Sequence, residues 1–144
     1  MTDQTERPAA AGGCLCGAVR YVVKGPLRPV VACHCGQCRK SSGHFFAASG
    51  ARDHDLAIEE DRGLRWFRSS DKARRGFCEI CGSSLFWKAD GSDYTAIAAG
   101  TLEPPTGLDL VAHIFVAHAG DYYRIEDGVP QLPAAGHGVE IPGD

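Results

Sequence analysis

The chain has 144 residues, 44% of them hydrophobic and 23% charged, with a formal net charge of −3. That length suits one domain around one core. No run approaches the ~18 consecutive apolar residues of a membrane-spanning helix, and the near-balanced charge disfavours a broad phosphate-binding face.

Residues 1–11 are polar with interspersed Pro and Ala and read as a flexible tail. They hold no apolar stretch of the kind a secretory signal needs, so a cytoplasmic protein is expected. Short segments with strand character follow, each bounded by turn residues: 18–23, 44–49, 55–60, 64–67, 73–78, 84–89, 94–99, 111–116 and 122–125. Gly25-Pro26, Asp90-Gly91, Pro104-Pro105 and Asp127-Gly128 supply turns between them. No segment carries a long apolar period of 3.6 residues, and the best helix candidate is one or two turns at "GQCRKSS". The expected fold is therefore all-β with little helix, over a domain at 12–132, and the Gly- and Pro-rich residues 133–144 read as a second flexible tail. The one dense basic cluster, Lys72, Arg74 and Arg75, sits beside Asp71 and Glu79 and reads as a solvated strand edge, with a small anion as the other ligand it suits.

Seven cysteines fall into three groups: Cys14 and Cys16; Cys33, Cys35 and Cys38; Cys78 and Cys81. Reducing conditions argue against a disulfide framework, and the close spacings favour a metal. Residues i and i+2 of a strand share a face, so Cys14 and Cys16 can reach one ion. The pair in "CEICG" has knuckle spacing, and two plus two thiolates make a closed four-cysteine site of the structural type. The remaining three thiolates would leave one tetrahedral position open, the layout of a catalytic zinc, unless a histidine closes it. His34 lies between two ligands and should point away from them; His44 and His113 are the other candidates. Spacing alone leaves open and closed sites both standing, along with other partitions, such as Cys33 and Cys38 with Cys78 and Cys81. An open position bounded by three thiolates suits a soft exogenous thiol better than water. Coordination would lower that thiol's pKa from ~8.5 and favour its addition to a carbonyl.

These residues resemble the glutathione-dependent formaldehyde-activating enzyme family, whose domain is shared with centromere protein V. The matching pieces run in the family's order: "GGCLCGAVRY" (12–21), "CHCGQCRKSSG" (33–43), "RGFCEICGSSLFW" (75–87), "GTLEPP" (100–105), "HIFV" (113–116) and "DGVP" (127–130). The resemblance implies a β-tent, several small antiparallel sheets around zinc. It implies two zinc ions per chain, a structural one on Cys14, Cys16, Cys78 and Cys81 and a catalytic one on Cys33, Cys35 and Cys38. The implied activity is that of a carbon–sulfur lyase joining a small thiol such as glutathione to formaldehyde or a similar aldehyde, with no nucleic acid or membrane partner. A non-catalytic, zinc-stabilised binding module is the alternative. After "HIFV" the chain reads "AHAGDYYRIEDG", with His118, Ala119, Asp121 and Tyr122 where the family usually has serine, lysine, proline and tryptophan. Arg39 and Lys40 are candidates to meet a substrate carboxylate, or are plain surface charge. Ser41 either supports the site or caps a short helix. His113 either orients a ligand and moves a proton or is a satisfied core histidine.

Overall fold

The computed structural model describes residues 10–135 and 139–142; the rest of the expected tails, 1–9, 136–138 and 143–144, lies outside them. Ten strands form two sheets. They are β1 (Ala10–Gly13), β2 (Arg20–Val23), β3 (Val30–Cys33), β4 (Phe46–Arg52), β5 (Leu56–Glu60), β6 (Leu64–Arg68), β7 (Ala73–Cys78), β8 (Ser84–Ala89), β9 (Tyr94–Ala98) and β10 (Leu110–Ile114). A single α-helix among the described residues, α1 (Gly36–Ser42), falls on the segment the sequence favoured for one. The small sheet has the order β1-β2-β5, the large one β10-β3-β4-β9-β8-β7-β6. The all-β expectation holds, with one exception to its antiparallel part: β10 runs parallel to β3, pairing Ile114 with Cys33.

Three element assignments change. β1 begins inside the expected tail, where Ala10 and Ala11 pair with Val23 and Val22. β3, absent from the strands expected above, forms from "VVAC", a short apolar run buried between two neighbours. Residues 122–125 form no strand; their tyrosines fold back onto histidines instead.

Alternation along the large sheet separates two apolar faces. Phe86 pairs with Ile97 on one face, and their neighbours Trp87 and Ala96 pair on the other. The first face packs against the small sheet through Tyr21, Val23, Phe86, Ile97 and Leu102, the main core. The second carries Phe46, Ala48, Ala96, Ala98 and Cys38, with Cys33, Cys35, Trp87 and Tyr94 packed against them. Alanines at the sheet's centre leave room there for a helix and its sulfurs. Gly76 has a matching role on β7: a Cβ would stand 3.1 Å from both Phe86 and Trp66, whose rings stack across it with centroids 6.0 Å apart. The half-buried Lys88 ammonium is held by Asp53 and by the carbonyls of Ser92 and Tyr94, which ties β8 to the turn after β4.

Candidate metal centres

Cys14, Cys16, Cys78 and Cys81 bring their four sulfurs within 4.8 Å of one another. The sequence placed Cys14 and Cys16 in a strand, but the structure places them in a tight turn after β1. Gly17, at φ +85°, reverses the chain there, and its N–H bonds the Cys14 carbonyl at 3.4 Å. Only glycine takes that conformation without strain. The second pair repeats the device: Gly82 at φ +80° donates to the Cys78 carbonyl at 2.8 Å. Two knuckles thus face each other, joined by a hydrogen bond from the Leu15 N–H to the Ser83 hydroxyl at 3.1 Å.

The electrostatics of this group belong to a metal site. The Ser83 hydroxyl and backbone N–H hold Cys81 down to about 5. Against a lowering contact from the Ala18 backbone, burial and the neighbouring thiols push Cys16 up to about 11. Four sulfurs this close cannot all ionise unless a cation sits among them. The donor set, four soft thiols at tetrahedral scale, fits zinc.

The second group is local. Cys33 ends β3, Cys35 is the N-cap of α1, and Cys38 lies in its first turn, so a strand-to-helix junction gathers all three sulfurs within 4.8 Å. Cys35 Sγ accepts the Cys38 N–H at 3.3 Å, the capping bond a Ser or Asp usually accepts. Gly43 closes the helix in the left-handed region, its N–H on the Arg39 carbonyl at 2.9 Å. Cys33 and the Arg75 guanidinium, whose Nη2 donates to Cys38 Sγ at 3.4 Å, hold Cys38 down to about 5; the same Cys38 contact and burial push Cys33 upward. A guanidinium against a ligand sulfur offsets part of the negative charge three thiolates would gather.

No histidine, aspartate or glutamate among the described residues joins either cysteine group. His34 points away from its flanking cysteines, as alternation predicts. It enters a chain whose two histidines are buried: Tyr123 hydroxyl to His34 Nδ1, His34 Nε2 to His113 Nδ1 at 2.9 Å, and His113 Nε2 to Asp127 Oδ2 at 2.8 Å. Asp127 is held below the usual carboxylate range by His113, so it accepts. If both rings carry one proton each, a single arrangement satisfies the chain: His113 donates from Nε2, His34 donates from Nε2, and Tyr123 donates its hydroxyl proton. Burial lowers the pKa of His34, in keeping with this state. His44 is engaged as well, its Nδ1 2.8 Å from the Tyr122 hydroxyl.

The other predicted site residues scatter. Ser41 borders a groove of about 280 Å³ that Phe46 and Arg75 also line. His113 borders a different cavity of about 400 Å³, with Phe45, Tyr123 and Asp127. Lys40 is exposed, and Arg39 lies close enough to Tyr123 for its charge to act on that hydroxyl. Neither lines the groove. Sequence reasoning missed Arg75, Tyr123 and Asp127 as parts of these networks. Arg75 stood in the basic cluster and Tyr123 carried no signal; Asp127 carried one as half of an Asp-Gly turn. It does make that turn, accepting the Val129 N–H at 3.0 Å, with its second oxygen left for His113.

Fold and donor sets together define an all-β domain built to hold metal through clustered thiols. A family model described as "Glutathione-dependent formaldehyde-activating enzyme" matches residues 9–118, and the chain belongs to that family. A Schizosaccharomyces pombe protein named as an uncharacterized lyase is 32% identical over 83 residues, 56% of this chain and 58% of that protein, so the match spans little more than half the relative's length. A crystal structure of a Rhodobacter sphaeroides protein shares the fold at 21% identity with a TM-score of 0.58, covering 84% of this chain and 98% of that one.

Proposed function

We propose that the chain is a zinc-dependent carbon–sulfur lyase that activates a small thiol, glutathione-like in chemistry, for addition to formaldehyde or a similar aldehyde. The observation that carries this reading is the three-sulfur group with no fourth protein donor beside it among the described residues, while His34, His113 and His44 are each bonded elsewhere. Cys33, Cys35 and Cys38 would hold a zinc ion, which would offer a soft fourth position and lower the pKa of a thiol bound there. A second ion on Cys14, Cys16, Cys78 and Cys81 would serve the fold.

The balance of the reaction is simple. The thiol sulfur forms a bond to the carbonyl carbon, the C=O π pair moves to oxygen, and oxygen takes up a proton equivalent to the one the thiol gave. The chain's own groups prepare this event. Arg75 lies against Cys38 and offsets negative charge at the site. The cap at Cys35 and the hydrogen-bonded chain behind His34 hold the ligand loop from two sides. Seven unpaired thiols suit a reducing, cytoplasmic setting.

Native mass spectrometry of reduced, anaerobically purified protein tests the reading, with 2-mercaptoethanol as the smallest thiol probe. Two zinc ions and a saturable thiol adduct that disappears in Cys35→Ala support it. A single zinc, or an adduct that persists in Cys35→Ala, refutes the assignment of the three-sulfur group and favours the binding module.

A further inference from the structure

Arg39 holds a half-buried guanidinium at the edge of the three-sulfur group. It follows Cys38 on α1, and its Nε is closed off from solvent with no hydrogen-bond partner. The other half-buried arginines are engaged. Arg28 donates to the carbonyls of Ala48 and Ser49, and Arg52 pairs with Asp93. Arg75 donates to Gln37 Oε1 at 3.0 Å and to Cys38 Sγ at 3.4 Å. No carboxylate among the described residues pairs with Arg39. Its charge reaches the Tyr123 hydroxyl, but burial pushes that hydroxyl's pKa up, so it stays protonated and supplies no counter-charge. A cation drawn part-way out of water without an anion carries a desolvation cost that an incoming anion relieves.

The space this guanidinium borders belongs to the ligand loop. Arg39 lies three residues after Gly36 and four after Cys35, so its side chain runs back along α1 toward the turn that carries the sulfurs. A Cβ on Gly36 would stand 3.8 Å from Arg39 Nη2 and, beyond its chain neighbours and the helix's own backbone, would meet nothing else within 4 Å. The link between Cys35 and Cys38 therefore faces open space with a guanidinium at its border. Building on the thiol-activating function above, we infer that Arg39 anchors a carboxylate of the thiol substrate over Gly36 and so selects carboxylate-bearing thiols, glutathione among them. A guanidinium presents its N–H groups as a fork that matches a carboxylate. A thiol held at its sulfur and at its carboxylate is fixed at two points, which a neutral thiol of the same size is not. Arg75 has the other task, since its donors are already committed to Cys38 and Gln37. Lys40, the next cation along α1, is exposed and keeps its hydration.

The test uses the full chain with cobalt(II) in place of zinc, read through its thiolate-to-metal absorption. Glutathione, glutathione diethyl ester and 2-mercaptoethanol are titrated separately; the diester has the same body with both carboxylates masked. Glutathione is expected to bind on the order of 10-fold more tightly than the diester, the size of effect one charge-assisted hydrogen-bonded contact gives. Arg39→Ala is expected to remove most of that preference. The variant should fold, because alanine favours a helix and Arg39 has no protein partner to lose among the described residues. Lys40→Ala removes the same charge from the exposed neighbour and is expected to keep most of the preference, since an exposed charge is screened. Equal binding of glutathione and its diester by the parent chain overturns the anchor and leaves thiol activation standing. So does a preference that Lys40→Ala removes as fully as Arg39→Ala, or an Arg39→Ala that weakens both ligands alike. Absorption that none of the three thiols moves overturns thiol activation itself, and the anchor with it.

Discussion

The two cysteine groups differ most in how much chain they close, and that difference can be measured. Cys16 Sγ lies 3.8 Å from Cys78 Sγ, at a separation of 62 residues. Closing a loop of that length removes about 4 kcal/mol of unfolded-state entropy by the cross-link relation, whereas the loop from Cys33 to Cys38 removes about 2 kcal/mol. Four thiolates also bind an ion more tightly than three, which widens the gap. The double variants Cys14→Ser/Cys16→Ser and Cys33→Ser/Cys35→Ser each delete two thiols that are not in the core, so neither opens a large cavity. With a urea m-value of ~2 kcal/mol/M, the first is expected to lower the unfolding midpoint by about 2 M and the second by about 1 M. Circular dichroism in zinc-buffered solution reads both. Equal losses, or a larger loss for the second pair, would show that the three-sulfur group holds the fold together, and the division of roles would fail.

Other consequences can be checked one variant at a time. Asp127→Ala leaves the buried His113 Nε2–H without an acceptor and is expected to cost about 1–3 kcal/mol, while Asp127→Asn, which keeps an acceptor oxygen, costs under about 1 kcal/mol. Equal midpoints for the two in urea would contradict the proton assignment of the chain. Gly63→Ala places a Cβ 2.7 Å from Cys78 Sγ and 2.8 Å from Ala18 Cβ. It is expected to cost about 1–3 kcal/mol and to speed loss of metal from the four-cysteine group to a chelator, read by a colorimetric zinc assay. Against the burial that raises it, Lys88 and Thr95 hold Asp53 below the usual carboxylate range. Its folded pKa is depressed, so its contribution is complete above ~3.9 and is lost as pH falls through the folded value. The stability gap between the parent chain and Asp53→Asn should therefore be open at neutral pH and close in strong acid.

The close cysteine groupings were legible because they depend on spacing within a few residues. The joining of Cys14 and Cys16 to Cys78 and Cys81 crosses 62 residues, and spacing leaves it open. Cys78 and Cys81 turn around Gly82, and Cys33 to Cys38 cross one strand end and one helical turn, so both signals are local. The orientation of His34 followed from alternation alone. What lay hidden depends on contacts between distant parts of the chain. Tyr123 meets His34 across 89 residues and Arg75 meets Cys38 across 37, and no periodicity announces either. β3 escaped because a four-residue apolar run fits a strand or a buried turn equally well, and its parallel partner β10 comes some eighty residues later. Tyr122 and Tyr123 have strong strand propensity, but stacking on His44 and His34 outweighs it.

The order of the cysteines along the chain also sets an order of arrival at the ribosome. The three-sulfur group is complete once residue 38 has emerged, and its geometry needs little beyond one strand end and one helix turn. The four-cysteine group must wait for residue 81, roughly 2–9 s longer at ordinary rates of synthesis. Through that interval Cys14 and Cys16 stand without their partners, and the nascent chain presents one finished trio of thiols and one unfinished pair.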